Sequence, residues 1–377
     1  MRPELNTKRI VALAAGGTGG HLFPAQALAE ELVRRGYVIH LMTDERVKDY
    51  GKSFPALEVH EIPSATLSLS KPLQLPGRLL KLYRGIAAAK SVLRRLQPAA
   101  VVGFGGYPSF PPIMAAARLA IPTILHDQNA VMGRANRVLA RRATAVASSF
   151  PTLTNLPPEA AAKLSFTGNP VRDIALREAA APYTPPTPDG EFRLLVFGGS
   201  QGAQFFSQFM PGAIAALPEA FRRRLHLVQQ CRLEDIEATR AAYAKLGVRA
   251  ELSAFFMDMP KRIAAAHLVV CRSGASTIAE LGVIGRPAIM VPLPHAIDND
   301  QLKNAESFAK AGAGWLMRQG ELSSENFAAF LGKLGYQGGE LAKAAATALG
   351  HGRPDAAIRL ADLVETVAVQ ALKKDRP

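Results

Sequence analysis

Cysteine is scarce in this sequence: Cys231 and Cys271 are the two cysteines among 377 residues. Neither has the close cysteine partner that metal sites use, and two cysteines cannot build a disulfide framework. Such usage is typical of proteins kept in a reducing compartment. We therefore predict that both side chains are small apolar groups in the protein interior.

Long hydrophobic runs are also absent, although 48% of the residues are hydrophobic. No stretch approaches the about 18 consecutive apolar residues that a membrane-spanning helix needs. The apolar run at 11–15 is too short for the core of a signal peptide. We expect a protein that is soluble or peripheral to a membrane, with two domains, since one domain takes roughly 100–200 residues.

Acidic residues are few between positions 71 and 142, where Asp127 alone accompanies 12 lysines and arginines. This segment carries much of the net charge of +14. A basic surface attracts nucleic acid, acidic lipid headgroups or phosphorylated substrates. Few aromatic residues accompany these charges, which argues against platforms that stack on bases. We expect no nucleic-acid partner.

The chain does contain a regular alternation of short β-branched runs and amphipathic helical stretches. This rhythm predicts an α/β fold of parallel sheets covered by helices. The predicted strands are 9–14, 37–42, 100–104, 123–125, 192–197, 225–228, 268–271 and 288–291. The predicted helices in the first domain are 23–35 and 78–96.

The alternation stops between residues 172 and 190, where four prolines and a glycine favour an extended linker. We therefore predict a first domain at 1–171 and a second at 191–352. The pattern GG[TS]xG occurs at 16–20 and again at 198–202, each time after an apolar strand. Two similar domains are expected to begin in the same way. The last helix, 353–377, is predicted to pack back onto the first domain.

Both glycine loops can bring backbone N–H groups and a helix N-terminus close to a phosphate. Alternatively, the glycines only make a tight turn from strand to helix. Neither loop is a Walker motif, because no Lys-Ser or Lys-Thr follows the glycines. His21 comes directly after the first loop, where an imidazole can accept a proton from a hydroxyl group near neutral pH.

In the second domain, residues 272–277 read RSGAST and open a helix that carries Glu280. Hydroxyl and amide groups there can bind a diphosphate, and the carboxylate can accept both hydroxyls of a ribose; a capping box is the structural alternative. A polar cluster at 295–301 follows the next strand, where α/β sheets bind ligands. Its Asp298-Asn299-Asp300 triplet lacks further ligands, so we expect no metal site.

The segment 67–96 combines many leucines with interspersed lysines and arginines. An amphipathic basic helix with an apolar loop before it can lie in the headgroup region of an anionic membrane. The alternative is an ordinary helix that faces the core. We predict that this segment contacts an anionic membrane surface.

Six motifs, taken in order, resemble those of the MurG family of peptidoglycan glycosyltransferases, and the resemblance spans roughly residues 8–315. They are GGTGGH at 16–21, GFGGY at 103–107, HDQNA at 126–130, GNPVR at 168–172, GGSQG at 198–202 and RSGA at 272–275. The resemblance implies a GT-B fold, with two Rossmann-like domains whose parallel sheets face a deep cleft.

It further implies an inverting hexosyltransferase that moves N-acetylglucosamine (GlcNAc) from UDP-GlcNAc to the C4 hydroxyl of the N-acetylmuramyl sugar (MurNAc) of lipid I, undecaprenyl-pyrophosphoryl-MurNAc-pentapeptide. The product is lipid II of peptidoglycan synthesis. The enzyme is expected at the cytoplasmic face of the bacterial inner membrane, with no required cofactor. Contacts with other cell-wall or division proteins are a further expectation.

The site residues carried over from the family divide between the domains. His21 would be the base that deprotonates the acceptor. The residues expected to line the cleft in the first domain are Thr18, Gly19, Gly20 and Asn129. The donor residues would be Phe256 near the uracil, Glu280 on the ribose, Ser200 with Ser273, Gly274, Ala275, Ser276 and Thr277 on the diphosphate, Gln301 on the sugar, and Arg172 from the hinge. Asp127 stands where the family usually has Glu, so we assign it no role.

Two other functions fit parts of the pattern. A nicotinamide-dependent dehydrogenase would use an acid such as Asp44 on its ribose, but Leu22 replaces the third glycine of the dinucleotide motif. A binder of lipid or nucleic acid would explain the basic segment but not the glycine loops. Another GT-B enzyme with a different sugar stays open, because the residues themselves indicate only a nucleotide-diphosphate donor.

Overall fold

The computed structural model describes residues 9–16, 19–45, 54–66 and 74–374. These residues belong to two compact units. Unit 1 comprises residues 1–172 and 354–377, and unit 2 comprises residues 173–353. Both cysteines are buried, as predicted.

Each unit contains one parallel sheet. The strands are β1 (Ile10–Ala14), β2 (Val38–Thr43), β3 (Glu58–Glu61), β4 (Ala100–Gly103), β5 (Thr123–Asp127), β6 (Ala145–Ser148), β7 (Leu164–Phe166), β8 (Phe192–Phe197), β9 (Leu225–Gln230), β10 (Arg249–Ser253), β11 (Leu268–Cys271), β12 (Ala288–Met290) and β13 (Gly314–Leu316). Their order is β3-β2-β1-β4-β5-β6-β7 in unit 1 and β10-β9-β8-β11-β12-β13 in unit 2. The predicted α/β class is confirmed.

Helices follow most strands. They are α1 (Gly19–Arg34), α2 (Leu75–Leu96), α3 (Gly106–Arg118), α4 (Arg134–Ala140), α5 (Asp173–Glu178), α6 (Gly199–Ala215), α7 (Glu219–Arg224), α8 (Ile236–Lys245), α9 (Met259–Ala265), α10 (Ala275–Ile284), α11 (Asp300–Lys310), α12 (Ser324–Tyr336), α13 (Gly338–His351) and α14 (Ala356–Lys374). Within the described residues, no helix combines the length and the apolar character needed to cross a bilayer.

The unit 1 sheet is covered on both faces, which explains why β1 and β4 at its centre are apolar throughout. Strand β1 reads IVALA and pairs in parallel register with β2 on one side and β4 on the other. Helices α1 and α14 contribute to the core on one face, and helices α2 and α3 contribute to the core on the other. Strands buried on both faces need apolar residues at every position.

Helix α3 was not predicted, because its sequence GYPSFPPIMAAAR has prolines at 108, 111 and 112. Pro108 lies in the first turn, where the backbone N–H has no helical partner to lose. Pro111 packs against α2: a Cβ atom on Gly85 would meet the Pro111 ring at 3.3 Å. Tertiary packing therefore outweighs the poor helix propensity of prolines inside the helix.

The stretch predicted as an extended linker, 172–190, begins with a helix. Residues 173–178 form helix α5, which packs against α9 and α10. The prolines that follow are tied to unit 2 as well: Tyr183 donates to the carbonyl of His267 at 2.9 Å, and Arg224 donates to the carbonyl of Gly190 at 2.7 Å. The break between the units falls between Arg172 and Asp173.

The last helix, α14, belongs to unit 1 and packs against α1. Its apolar side chains at 360, 361, 364 and 367 enter the same core as β1. Arg35, which follows α1, donates to Asp362 and Glu365 of α14, each at 2.7 Å. The end of the chain therefore completes the first sheet's helical cover.

Candidate active site

The glycine loops lie at the point where the strand order of each sheet reverses. This reversal falls between β1 and β4 in unit 1 and between β8 and β11 in unit 2. In open parallel sheets, ligands bind outside the carboxyl ends of the strands at such a switch point. The loop after β1 leads to His21. The loop after β8 consists of Gly198, and the loop after β11 contains residues 272–274.

In unit 1, the first turn of α1 contains Gly19, Gly20 and His21. A side chain at Gly16 would come within 2.8 Å of the Thr43 hydroxyl, and one at Gly19 would come within 2.9 Å of the Phe23 ring. The glycines are therefore required for close packing around the start of the helix. Thr18 lies outside the described residues.

A chain of hydrogen bonds runs from His21 into the interior of unit 1. Nδ1 of His21 is 2.9 Å from Oε1 of Gln128. Nε2 of Gln128 is 3.0 Å from Nδ1 of His126 and also 3.0 Å from the backbone carbonyl of His126. Nε2 of His126 is 3.0 Å from the carbonyl oxygen of Gly168. Gln128 and His126 are both buried.

The direction of this chain follows from its chemistry. The carbonyl of His126 can only accept, so the group facing it must be the NH₂ of Gln128. The amide oxygen of Gln128 then accepts from Nδ1–H of His21, which leaves Nε2 of a neutral His21 without a proton. His126 accepts at Nδ1 and donates from Nε2 to Gly168. Burial lowers the pKa of His126 to about 4, so it stays neutral near pH 7.

Two glycines leave room beside the free nitrogen of His21. Gly105 and Gly106 have φ values of 83° and 70°, which disfavour any residue with a side chain. A Cβ atom on Gly106 would lie 3.3 Å from Nε2 of His21. The sequence indicated this GFGGY segment only as a family motif, and its contact with His21 was not predicted.

Asp127 stabilises the loop after β5. Its carboxylate accepts from the backbone N–H of Gly133 at 2.9 Å, from the side chain of Asn136 at 3.0 Å and from the N–H of Asn129 at 3.3 Å. Burial raises the pKa of Asp127, while these hydrogen bonds oppose the shift. The carboxylate thereby holds the backbone of Asn129, which was predicted to line the cleft.

Arg172 ends unit 1 and lies close to the start of α1. Its guanidinium carbon is 3.9 Å from the centre of the Phe23 ring, a cation–π distance. Phe23 in turn packs against Gly19. The structure therefore brings Arg172, which was predicted to bind the sugar-nucleotide donor, near the glycine loop of unit 1.

In unit 2, helix α6 begins at Gly199, whose φ is 67°. The N–H groups of Gly198 and Gly199 donate to Oε1 of Gln230 at 3.3 and 3.0 Å. Those two groups are thus not available to an anion, contrary to the simplest expectation for the loop. Gln230 fixes the loop, and the later N–H groups of the first turn form the positive end of α6. The Ser200 side chain lies outside the described residues.

Arg272 and Ser273 hold the loop between β11 and α10. Arg272 is buried and donates to the carbonyls of Val291 and Pro292 at 3.0 and 3.1 Å. Burial lowers its pKa to about 10, so it stays charged at neutral pH. The Ser273 hydroxyl is fully buried and donates to the carbonyl of Gln301 at 2.8 Å. Ser273 therefore supports the loop through a protein contact.

The other predicted phosphate residues stand at the start of α10. Gly274 is its N-cap, Ala275 begins the helix, and Ser276 and Thr277 are partly exposed in its first turn. Glu280 is largely buried one turn later. Phe256 is also largely buried, and the Arg262 guanidinium lies 4.1 Å from its ring centre.

The loop before α11 has an unusual backbone. His295, Asp298 and Asn299 all have positive φ, between 54° and 59°. Left-handed residues other than glycine are uncommon and cluster at functional sites. Gln301 accepts from the N–H of Leu293 at 3.0 Å through its side-chain oxygen. The amide nitrogen of Gln301 takes no part in this bond and can donate to a hydroxyl group.

Two family models match this chain. The glycosyltransferase family 28 N-terminal domain matches residues 11–148, and the glycosyltransferase family 28 C-terminal domain matches residues 193–360. Together with the two parallel sheets, these matches define a glycosyltransferase of the GT-B fold class.

Curated relatives cover almost the whole chain. The "UDP-N-acetylglucosamine--N-acetylmuramyl-(pentapeptide) pyrophosphoryl-undecaprenol N-acetylglucosamine transferase" of Mesorhizobium japonicum is 52% identical over 369 residues, which are 97% of each chain. The enzyme of the same description from Rhizobium meliloti is 52% identical over 361 residues, 96% of each chain. The crystal structure of Acinetobacter baumannii MurG matches with a TM-score of 0.76 and 29% identity, covering 95% of this chain and 99% of that one. This chain belongs to the MurG family.

Proposed function

We propose that this enzyme transfers GlcNAc from UDP-GlcNAc to the C4 hydroxyl of the MurNAc sugar of lipid I, with inversion at the anomeric carbon, and so makes lipid II for peptidoglycan. The family membership supports both substrates, because the relatives' names state the same donor and acceptor. The names do not state the linkage, the stereochemistry or the residue roles, which we propose from the site.

One observation carries the chemistry: the hydrogen-bond chain from His21 to Gly168 keeps Nε2 of a neutral His21 unprotonated. In the proposed step, this nitrogen accepts the proton of the C4 hydroxyl. The oxygen bonds to the anomeric carbon of GlcNAc while the bond from that carbon to the diphosphate oxygen breaks. UDP leaves with the bonding electron pair, and attack from the opposite face inverts the configuration.

Unit 2 supplies the donor site in this proposal. The starts of α6 and α10 direct positive helix ends to the diphosphate, whose negative charge grows as the bond breaks. Gln230 and Arg272 fix the two loops in advance. Glu280 accepts the ribose hydroxyls, Phe256 lies near the uracil, Gln301 contacts the sugar, and Arg172 is the donor contact from unit 1. The reaction is proposed to need no metal or other cofactor.

The enzyme is further proposed to act as a peripheral protein on the cytoplasmic face of the inner membrane. The lipid acceptor requires such a position, and the first half of α2 supports it. Leu79, Leu80 and Tyr83 are between 50% and 69% exposed there. Arg78, Lys81 and Arg84 lie next to these residues in the helix sequence, a composition suited to anionic headgroups. The leucines at 67–73 lie outside the described residues. Contacts with other cell-wall proteins stay a prediction.

The test is transfer of radiolabelled GlcNAc from UDP-GlcNAc to a lipid I analogue, with wild type and His21→Ala compared. We expect turnover in the wild type and a loss of at least about 100-fold in the variant, the usual contribution of a general base. Donor affinity should change less than about threefold. If folded wild type binds UDP-GlcNAc but transfers nothing, the proposed acceptor is wrong. If His21→Ala loses much of its affinity for UDP-GlcNAc, His21 binds the donor.

A further inference from the structure

Two histidines and a glutamate meet at the edge of the unit 1 sheet, on strands that the proposed chemistry does not use. His40 is on β2, and Glu58 and His60 are on the neighbouring edge strand β3. In the parallel register, His40 lies beside Glu58 and Met42 lies beside His60. The pairing therefore sets all three side chains on adjacent strands within two residues of one another.

The three side chains are close in space as well as in register. Nδ1 of His40 is 3.0 Å from Nε2 of His60 and 3.8 Å from Oε2 of Glu58. Oε1 of Glu58 is 3.5 Å from Nδ1 of His60. One nitrogen from each imidazole and one carboxylate oxygen all lie within 4.8 Å of one another. Ligand atoms about 2.0–2.1 Å from a tetrahedral zinc ion stand about 3.3 Å apart, a spacing inside this observed range.

The surroundings suit a bound ion that keeps one position open to water. His40 and His60 are 4% and 7% exposed, whereas the Glu58 side chain is 51% exposed. The imidazole rings are stacked with centres 5.2 Å apart. On the same face, Met42 shares a core with Ala89 and Leu93 of α2. Two buried imidazoles and one carboxylate that reaches solvent form the His₂Glu ligand set that occurs in zinc sites.

We propose that His40, Glu58 and His60 bind one transition-metal ion of the zinc class, with water as the fourth ligand. The ion would join the edge strand β3 to β2 and so act on the stability of unit 1. The ligands lie on β2 and β3, whereas His21 follows β1, and we assign the ion no part in the transfer reaction.

Arg95 of α2 is the group that competes with the metal. Its Nη2 atom is 3.6 Å from Oε1 of Glu58. The Arg95 side chain is 64% exposed, so it can move into water when a cation takes its place beside the carboxylate. Because an exposed ion pair is worth at most about 1 kcal/mol, Arg95 weakens metal binding by no more than about fivefold.

The test titrates the full-length protein, made without a histidine tag, with zinc in calorimetry and with cobalt(II) in visible absorption. We expect one equivalent of zinc, a visible spectrum of four-coordinate cobalt, and a thermal midpoint that rises with zinc concentration. His60→Ala and the milder Glu58→Gln should each weaken zinc binding at least about tenfold. Circular dichroism establishes that both variants are folded.

The matched control is His226→Ala. His226 also has a glutamate nearby, with Nδ1 3.6 Å from Glu191, but this pair lies on unit 2. Zinc binding should be unchanged in this variant and up to about fivefold tighter in Arg95→Ala. The proposal is overturned if wild type shows no saturable zinc binding, or if folded His60→Ala and Glu58→Gln bind zinc as wild type does. A loss of binding in Arg95→Ala would also contradict it.

Discussion

His21 can accept a proton at Nε2 only while its own proton stays on Nδ1, and Gln128 is the residue that keeps it there. The amide cannot rotate by half a turn, because its NH₂ would lose the carbonyl of His126 and its oxygen would face that carbonyl instead. A neutral amide fixes the tautomer without placing the negative charge of a carboxylate beside the imidazole. Gln128 is therefore a positioning residue for the proposed base.

The Gln128 contact gives a kinetic prediction. Gln128→Leu removes the acceptor for Nδ1–H, so we expect kcat to fall roughly 10- to 100-fold while KM for UDP-GlcNAc stays within about threefold. Gln128→Glu should retain more activity than Gln128→Leu, and the acidic limb of its pH–rate profile should move to higher pH, because a carboxylate stabilises the imidazolium.

Steady-state kinetics across pH measure both effects. The control is Gln26→Leu. Gln26 lies on α1 five residues after His21, and this variant should behave as wild type. Wild-type kcat in Gln128→Leu would mean that His21 does not depend on this hydrogen bond.

His126 makes stability depend on pH. Its folded pKa of about 4 lies below the usual value of 6.5, so its contribution to stability is present above pH 6.5 and is lost as pH falls towards 4. From pH 7.5 to 5.5 we expect this residue to lower the free energy of unfolding by about 1 kcal/mol. Urea unfolding of wild type and His126→Gln at both pH values measures this change in the free energy of unfolding. An equal pH dependence in the two proteins would contradict the prediction.

At the scale of elements, helix α2 has two different halves. Its C-terminal half is buried at Ala89 and Leu93, in the core shared with α3. Its N-terminal half leaves Leu79, Leu80 and Tyr83 exposed. The sequence could not decide between a core helix and a membrane-surface helix, and the structure shows that the core interpretation applies to the second half.

This division predicts the effect of a triple substitution. Replacing Leu79, Leu80 and Tyr83 with Ser should weaken binding to phosphatidylglycerol-containing vesicles at least about tenfold, because three apolar side chains no longer enter the headgroup region. Stability should change little, since these side chains are exposed. Sedimentation with vesicles measures the binding. The control replaces Ile358 and Val369 of α14, also about half exposed, and should bind normally. Equal loss in both would point to non-specific apolar attraction.

The elements that the sequence failed to predict have physical explanations. Strands β1, β8 and β11 are apolar runs before glycines, so local pattern was enough. Helix α3 contains prolines, and the stretch that holds α5 was obscured by the prolines after it. Both helices depend on packing partners distant in the chain, such as Gly85 beside Pro111, and local propensity does not report such contacts.

At the scale of the whole molecule, the same design occurs twice. Both sheets reverse their strand order beside a glycine loop. The repeated GG[TS]xG pattern predicted two domains that begin in the same way, but not this reversal. The sequence could not predict the contact between His21 and Gln128, which are 107 positions apart, or which side chains of α14 enter the core of unit 1. Such features depend on which distant segments meet, and a single sequence does not specify this directly.

The two units should divide the work of the reaction, and this division can be tested in the full-length enzyme. Glu280→Ala removes the proposed acceptor of the ribose hydroxyls in unit 2, so KM for UDP-GlcNAc and the dissociation constant for UDP should rise roughly tenfold or more. The acceptor KM should stay within about threefold.

His21→Ala should show the reverse pattern, with kcat lost and UDP affinity kept, because its hydrogen bond lies within unit 1. Glu340→Ala, an exposed glutamate of α13, is the control for removal of charge from unit 2. Calorimetry with UDP and steady-state kinetics with both substrates separate the two patterns. If Glu280→Ala left UDP binding unchanged, Glu280 would support α10 structurally, and the donor's ribose would need another partner.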